Sequence, residues 1–478
     1  MPSQIAIVHG WSDSSKSFRD LRDFLAANGF QVRQIWLGDY ISMDDDVRVE
    51  DVAKRMNDVV NSLIEAGELT VPFDLIVHST GGLVAREWIS RFYPEGTGCP
   101  VKRLVMLAPA NFGSALAALG KSMIGRVAKG WRNWFQTGEE MLRGLELASP
   151  YQWELACRDL LDPNSTGSAA KGPYAPDKVL PFVIIGTRGY PSGLRQIVNE
   201  GGSDGTVRAA AANLNAVGMT IDFSHESETP SIVPWASRTP KFRIPFAVLP
   251  DRDHSTIIRP DKPSGSNDSD QLARLILQAL ACDGAAAYRQ IARSWDELSE
   301  QTAALARDEQ ALEEQFDKSA PEPEELHQYF HVIVRVEDDH GAPVNDYFLE
   351  FFPPDQSGTR AEVYFHRDVL EDVHVNKQDS SMRSLYVDRN DLLEGYYAKR
   401  ISQQENRSVA MSISAAKVGS NIRYFDSTRE GAKGHIVVHS EAMEVRSDLP
   451  ARLLRNTTHL IRIVIPRKPV DKVFKLTR

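Results

Sequence analysis

The stretch Phe73-Asp74-Leu75-Ile76-Val77-His78-Ser79-Thr80-Gly81-Gly82-Leu83-Val84-Ala85-Arg86 decides the fold. An apolar run of strand length stops at a serine, two glycines follow, and a helical pattern begins. Such a strand-to-helix turn holds the serine hydroxyl above the sheet edge, and small neighbours let the two backbones close on one another. The usual form is Gly-x-Ser-x-Gly; here Val77 stands at the first glycine position and crowds the turn. The plainer reading is that Ser79 caps the helix, a role serine favours. The rest of the chain decides between them.

A serine hydroxyl is a poor nucleophile until a histidine takes its proton, and that histidine needs a carboxylate to fix its tautomer. Both follow in the required order. The apolar run Leu180–Gly186 precedes Gly201-Gly202-Ser203-Asp204-Gly205, and the run Ile244–Leu249 precedes Asp251-Arg252-Asp253-His254. Loops at the carboxyl ends of parallel strands are where open α/β sheets build their sites. Asp204 is therefore the expected orienting acid and His254 the expected base. Asp204-Gly205 is also a common turn dipeptide. Asp253 is too close in sequence to its own histidine to reach the ring at the needed angle. His225 lies in a polar, turn-rich stretch without a clear strand before it.

An acyl-transfer site also needs two backbone N–H groups for the oxyanion, and losing one such donor costs about 3 kcal/mol of barrier stabilisation. Thr80, the residue after the serine, is one expected donor. The early strand Ile5-Ala6-Ile7-Val8 ends in His9-Gly10-Trp11, where Gly10 permits a sharp turn and the amide of Trp11 is the expected second donor.

Strand candidates Ile5–Val8, Gln31–Trp36, Phe73–Val77, Leu104–Leu107, Phe182–Gly186 and Phe246–Leu249 alternate with helical patterns, closing with a helix over Leu272–Leu280. This predicts an α/β domain over 1–283, with a mainly parallel sheet and helices on both faces. A helical cap insert spans about 112–172. Within it Trp131, Trp134 and Phe135 alternate with Lys129 and Arg132, a pattern suited to lining an acyl pocket or to resting on a lipid surface. Residues 284–325 read as a polar spacer helix ending in the acidic hinge Pro321-Glu322-Pro323-Glu324-Glu325. From 326 to 478 the period changes to two, which predicts a β-sandwich-like domain with strands such as His331–Val336, Tyr347–Phe352 and Leu460–Ile465.

At 478 residues and a formal charge of −10, the chain lacks the basic face that nucleic acid requires. Cys99, Cys157 and Cys282 are few, odd in number and far apart, which predicts a reduced compartment, no disulfide framework and no metal site. No cofactor motif appears. No apolar run is long enough to cross a bilayer, and Met1–Gln4 run straight into the first strand without a secretory n-region. A cytoplasmic or peripherally membrane-associated protein is expected.

The Val77-His78-Ser79-Thr80-Gly81 turn, without its leading glycine, resembles that of the PlaB-type bacterial phospholipases A/lysophospholipases. Size and domain order extend the resemblance over most of the chain, and Ser79, Asp204 and His254 map onto the family's triad. It implies an α/β-hydrolase domain followed by a β-rich carboxy-terminal domain. It also implies hydrolysis of fatty-acyl esters in glycerophospholipids and lysophospholipids, peripheral attachment to a membrane surface, and homo-oligomers. Two other readings stay open: a carboxylesterase or acyltransferase on small esters, and a non-catalytic binding protein on a hydrolase scaffold.

Overall fold

The computed structural model describes the chain except residues 1–3, 11–13, 31–34, 43, 119–137, 166–170, 192–195, 197, 225–229, 240–241, 261–270, 317–319, 353–359, 401–407, 416–418, 420, 425–434, 441–451 and 477–478. It divides into two compact units. The first holds 1–161, 169–215 and 237–327; the second holds 162–168, 216–236 and 328–478.

The elements of the first part of the chain are β1 (Ile5–Val8), α1 (Arg19–Ala27), β2 (Ile35–Gly38), α2 (Val49–Glu65), β3 (Phe73–His78), α3 (Gly81–Phe92) and β4 (Val101–Leu107). They continue with α4 (Glu139–Leu145), α5 (Pro150–Asp159) and β5 (Leu180–Gly186). Next come β6 (Val217–Asp222) and β7 (Ser231–Pro234), which belong to the second unit, and then β8 (Phe246–Leu249), α6 (Gln271–Ala281) and α7 (Gly284–Ala304). The first unit's sheet has the order β8-β5-β4-β3-β1-β2 and is parallel throughout. Every residue of β3 and β5 is buried, as a parallel strand covered on both faces requires. Of the expected strand at Gln31–Trp36, the first four residues fall outside the described ones; the described strand is Ile35–Gly38.

Helix α7 is not a free spacer. Tyr288, Ile291, Ala292, Trp295, Ser299 and Thr302 recur at three- and four-residue steps and are all buried. The Tyr288 hydroxyl donates to the Pro181 carbonyl at 2.7 Å, and Thr302 Oγ1 donates to the Val248 carbonyl at 2.8 Å. At the acidic hinge, Glu325 accepts a hydrogen bond from the Gly189 amide at 3.0 Å. Residues up to His327 thus belong to the first unit, beyond the expected boundary at 283.

The second unit is built from β9 (Tyr329–Asp338), β10 (Tyr347–Phe352), β11 (Leu370–Val375), β12 (Met382–Asp388), β13 (Ser408–Ala415), β14 (His435–Ser440), β15 (Arg452–Leu453) and β16 (Thr457–Ile465), together with β6 and β7. A six-stranded sheet, β11-β12-β9-β16-β6-β7, faces a four-stranded one, β10-β13-β14-β15. Met219, Val334, Leu349, Ile413, Ile436 and Ile463, drawn from both sheets, share one core, which is the expected sandwich. The expectation that everything before 283 stays in the first domain fails at β6. That strand pairs in parallel with β16, from Val217 opposite His459 to Asp222 opposite Val464. Its buried Met219 and Ile221 find their apolar neighbours there.

Among the described residues no helix is long and apolar enough to cross a membrane.

Candidate active site

Strand β3 carries the chain to the carboxyl edge of the sheet, and Ser79 turns it into α3. Ser79 has φ of 53°, in the left-handed region that a residue with a side chain enters only at a cost. Its amide donates to the Leu107 carbonyl at 3.1 Å, and its carbonyl accepts from the Ala110 amide at 3.2 Å, so the strained residue is pinned from both sides. Two glycines make room. A Cβ on Gly81 would lie 2.9 Å from the carbonyl oxygens of Val8 and His9, and one on Gly10 would lie 2.6 Å from Ser79 Cβ. This explains how the turn tolerates Val77, which sits fully buried within β3. The space comes from Gly10 and Gly81, and Gly10 matters for its close approach to the serine as much as for any turn of its own.

Asp204 and His254 reach Ser79 from separate loops, after β5 and β8. His254 Nε2 stands 3.0 Å from Ser79 Oγ, and its Nδ1 stands 2.7 Å from Asp204 Oδ2. The other carboxylate oxygen, Oδ1, accepts from the amides of Val207 at 2.7 Å and Thr206 at 3.0 Å. The His254 amide donates to the Asp204 carbonyl at 2.9 Å, locking the two loops together at the backbone as well. Asp204 is fully buried, so its charge is spent on these donors rather than on water. Asp253 turns away from the ring: its Oδ1 accepts from the amides of Ser255 and Thr256, which shapes the loop. A hydroxyl so placed can pass its proton to an imidazole whose other nitrogen is held as a donor.

His78 is a participant that sequence reading missed. It is buried, and its Nε2–H donates to the His254 carbonyl at 3.0 Å, with the two rings 4.7 Å apart. Burial pushes its pKa well below the ordinary histidine value, and the neighbouring His254 lowers it further. It therefore stays a neutral donor beside the base. Its only sequence signal is adjacency to Ser79. His9 shapes the neighbouring loop: Nδ1–H donates to the Gly10 carbonyl at 2.7 Å, Nε2 accepts the Tyr40 amide at 3.1 Å, and the Tyr40 ring stacks on it at 4.4 Å.

Thr80 follows Ser79 as the N-cap residue of α3. Trp11, the other expected oxyanion donor, lies outside the described residues, as do His225 and the cap residues Trp131, Trp134 and Phe135. The described part of the insert is fastened to α3. Arg86 Nε and Nη2 donate to Asp159 of α5 at 2.8 and 3.0 Å, and both residues are fully buried.

A parallel sheet carrying a strained serine at one strand end, with an acid and a histidine on later loops, defines the class of α/β hydrolases. The chain belongs to the alpha/beta hydrolase family, whose model matches residues 5–264. Two solved structures are similar along its whole length. Phospholipase PlaB from Legionella pneumophila has 26% identity and a TM-score of 0.78, covering 100% of this chain and 96% of that one. The same phospholipase in complex with thio-NAD has 25% identity and a TM-score of 0.77, with the same coverage. No curated protein matches the chain in sequence.

Proposed function

We propose that this chain is a lipolytic serine hydrolase that cleaves fatty-acyl esters of glycerophospholipids and lysophospholipids. The observation that carries the reading is the 3.0 Å and 2.7 Å relay from Ser79 Oγ through His254 to Asp204. Full-length similarity to a phospholipase supports the choice of lipid esters. Ser79 Oγ attacks the ester carbonyl while His254 Nε2 takes its proton. Asp204 holds the imidazole and stabilises its charged form, and the amides of Thr80 and Trp11 receive the oxyanion. The imidazolium then protonates the departing alkoxide, leaving an acyl group on Ser79. Water, deprotonated by His254, releases the fatty acid and restores the serine. His78 contributes by staying uncharged and pinning the His254 carbonyl, so that no second positive charge opposes the imidazolium.

Because the substrate resides in bilayers, the protein works peripherally at a membrane surface, as a homo-oligomer. Vesicles of phosphatidylcholine and lysophosphatidylcholine, with products read by mass spectrometry, test the reading. Release of fatty acid by the native chain and not by a folded Ser79→Ala variant is expected. Full activity in Ser79→Ala refutes the mechanism. Hydrolysis confined to short soluble esters reduces the protein to a carboxylesterase.

A further inference from the structure

A cavity of about 500 Å3 lies between α2 and the β1–β2 edge of the sheet. That volume is within the range of small-molecule sites. Its walls are almost wholly apolar and include Val8, Leu37, Val52, Val60, Leu69 and Val84. The cavity is long. Along α2 it runs from Val52 to Leu63, eleven residues and so about 16 Å at the rise of an α-helix. Along the sheet it runs from the level of Val8, which pairs with Val77, down to Phe73 at the opposite end of β3.

The two ends differ. The far end is lined by Leu63, Leu69 and Phe73. The near end lies at the catalytic edge of the sheet and carries the polar groups, namely Asp39, Asp51 and Arg55, together with Tyr40. Tyr40 is the link to the site: its ring lies on that of His9, and the next residue, Gly10, is packed directly against Ser79. A slot that is mostly apolar, with its charged groups toward the catalytic edge of the sheet, fits an alkyl chain whose ester group stays at the rim.

We infer that this cavity between α2 and the sheet edge holds the fatty-acyl chain of the ester that Ser79 attacks. The inference rests on the hydrolase reading and adds the acyl subsite to it. A free fatty acid offers the same alkyl chemistry, but its carboxylate would meet Asp39 and Asp51 against the single cation Arg55. The neutral ester meets no such repulsion, and this favours the substrate as the source of the chain.

The test fills the slot beyond its midpoint with Val60→Trp in the full chain and compares kcat/KM for p-nitrophenyl hexadecanoate and butanoate. Each buried methylene is worth roughly a fourfold gain in binding. The hexadecanoate-to-butanoate ratio is therefore expected to fall at least a hundredfold, while Val60→Ala keeps it within threefold of the native value. A ratio is read because partial misfolding lowers both rates alike. In parallel, a fluorescent hexadecanoic acid is titrated into Ser79→Ala and into Ser79→Ala with Val60→Trp. An unchanged ratio with lost fatty-acid binding overturns the assignment in favour of a free fatty acid. An unchanged ratio with unchanged binding overturns it altogether. If the native chain hydrolyses neither ester, the hydrolase reading fails first. Fatty-acid binding that Val60→Trp abolishes then identifies an alkyl-chain site without catalysis and overturns the substrate assignment.

Discussion

Replacing Asp204 with asparagine is the sharpest perturbation of the relay, because the structure dictates how the new side chain must sit. Asp204 Oδ1 accepts two amides, from Val207 at 2.7 Å and Thr206 at 3.0 Å. An asparagine must keep its carbonyl oxygen there, since an NH2 group would oppose two N–H donors. Its NH2 is then forced toward His254 Nδ1, which the carboxylate oxygen faces at 2.7 Å. A nitrogen facing a donor must accept, so the ring proton moves to Nε2, 3.0 Å from Ser79 Oγ. The imidazole then presents a proton where it should take one. In the well-studied serine protease triad the same change lowers kcat about 10⁴-fold through the wrong tautomer, and a loss on the order of 10³ to 10⁴ is expected here. Folding should be nearly unaffected, because the size and both amide contacts are retained. Fatty-acid release from lysophosphatidylcholine gives kcat and KM, and thermal unfolding checks the fold. A folded Asp204→Asn protein with more than a tenth of native kcat refutes the reasoning.

Gly10→Ala places a Cβ 2.6 Å from Ser79 Cβ and 3.2 Å from Oγ. Displacing a reacting atom by about 1 Å can cost on the order of a hundredfold, so kcat should drop by that factor while the protein stays folded; native rates would contradict the packing. His78 stays neutral in the folded chain, whereas in the unfolded chain it takes a proton below about pH 6.5. Its depressed pKa therefore lowers stability as pH falls below 6.5, by up to about 1.4 kcal/mol per pH unit. Urea unfolding of His78→Phe should show a shallower decline between pH 6.5 and 5 than the native chain, and equal slopes would contradict the burial argument. Asp159→Ala leaves the fully buried Arg86 without its carboxylate and should cost about 3–5 kcal/mol in chemical denaturation; a loss under about 1 kcal/mol would show the pair to be dispensable.

The elbow was legible because its signals are local: an apolar run, a serine, two glycines and a helix period, all within Phe73–Arg86. The juxtaposition of Asp204 and His254 with Ser79 was legible because each follows a strand and parallel sheets gather such loops at one edge. What escaped reading depends on contacts distant in sequence. Strand β6 lies in the chain between the hydrolase strands β5 and β8, yet its partner β16 comes some 240 residues later, and no local pattern announces a parallel pairing. The buried face of α7 was hidden because Ser299 and Thr302 lie on it, their hydroxyls bonded to the Phe246 and Val248 carbonyls of β8. The role of His78 is written in its geometry alone: a histidine beside a serine says nothing until its Nε2–H is found 3.0 Å from the His254 carbonyl.

Treatment of the native chain with a fluorophosphonate, followed by peptide mass spectrometry, reads the activated hydroxyl itself. One adduct per chain on the Ser79 peptide is predicted, with labelling lost in Ser79→Ala and slowed at least a hundredfold in His254→Ala. Absence of an adduct on the folded native chain, or equal labelling of the His254→Ala protein, would contradict the account.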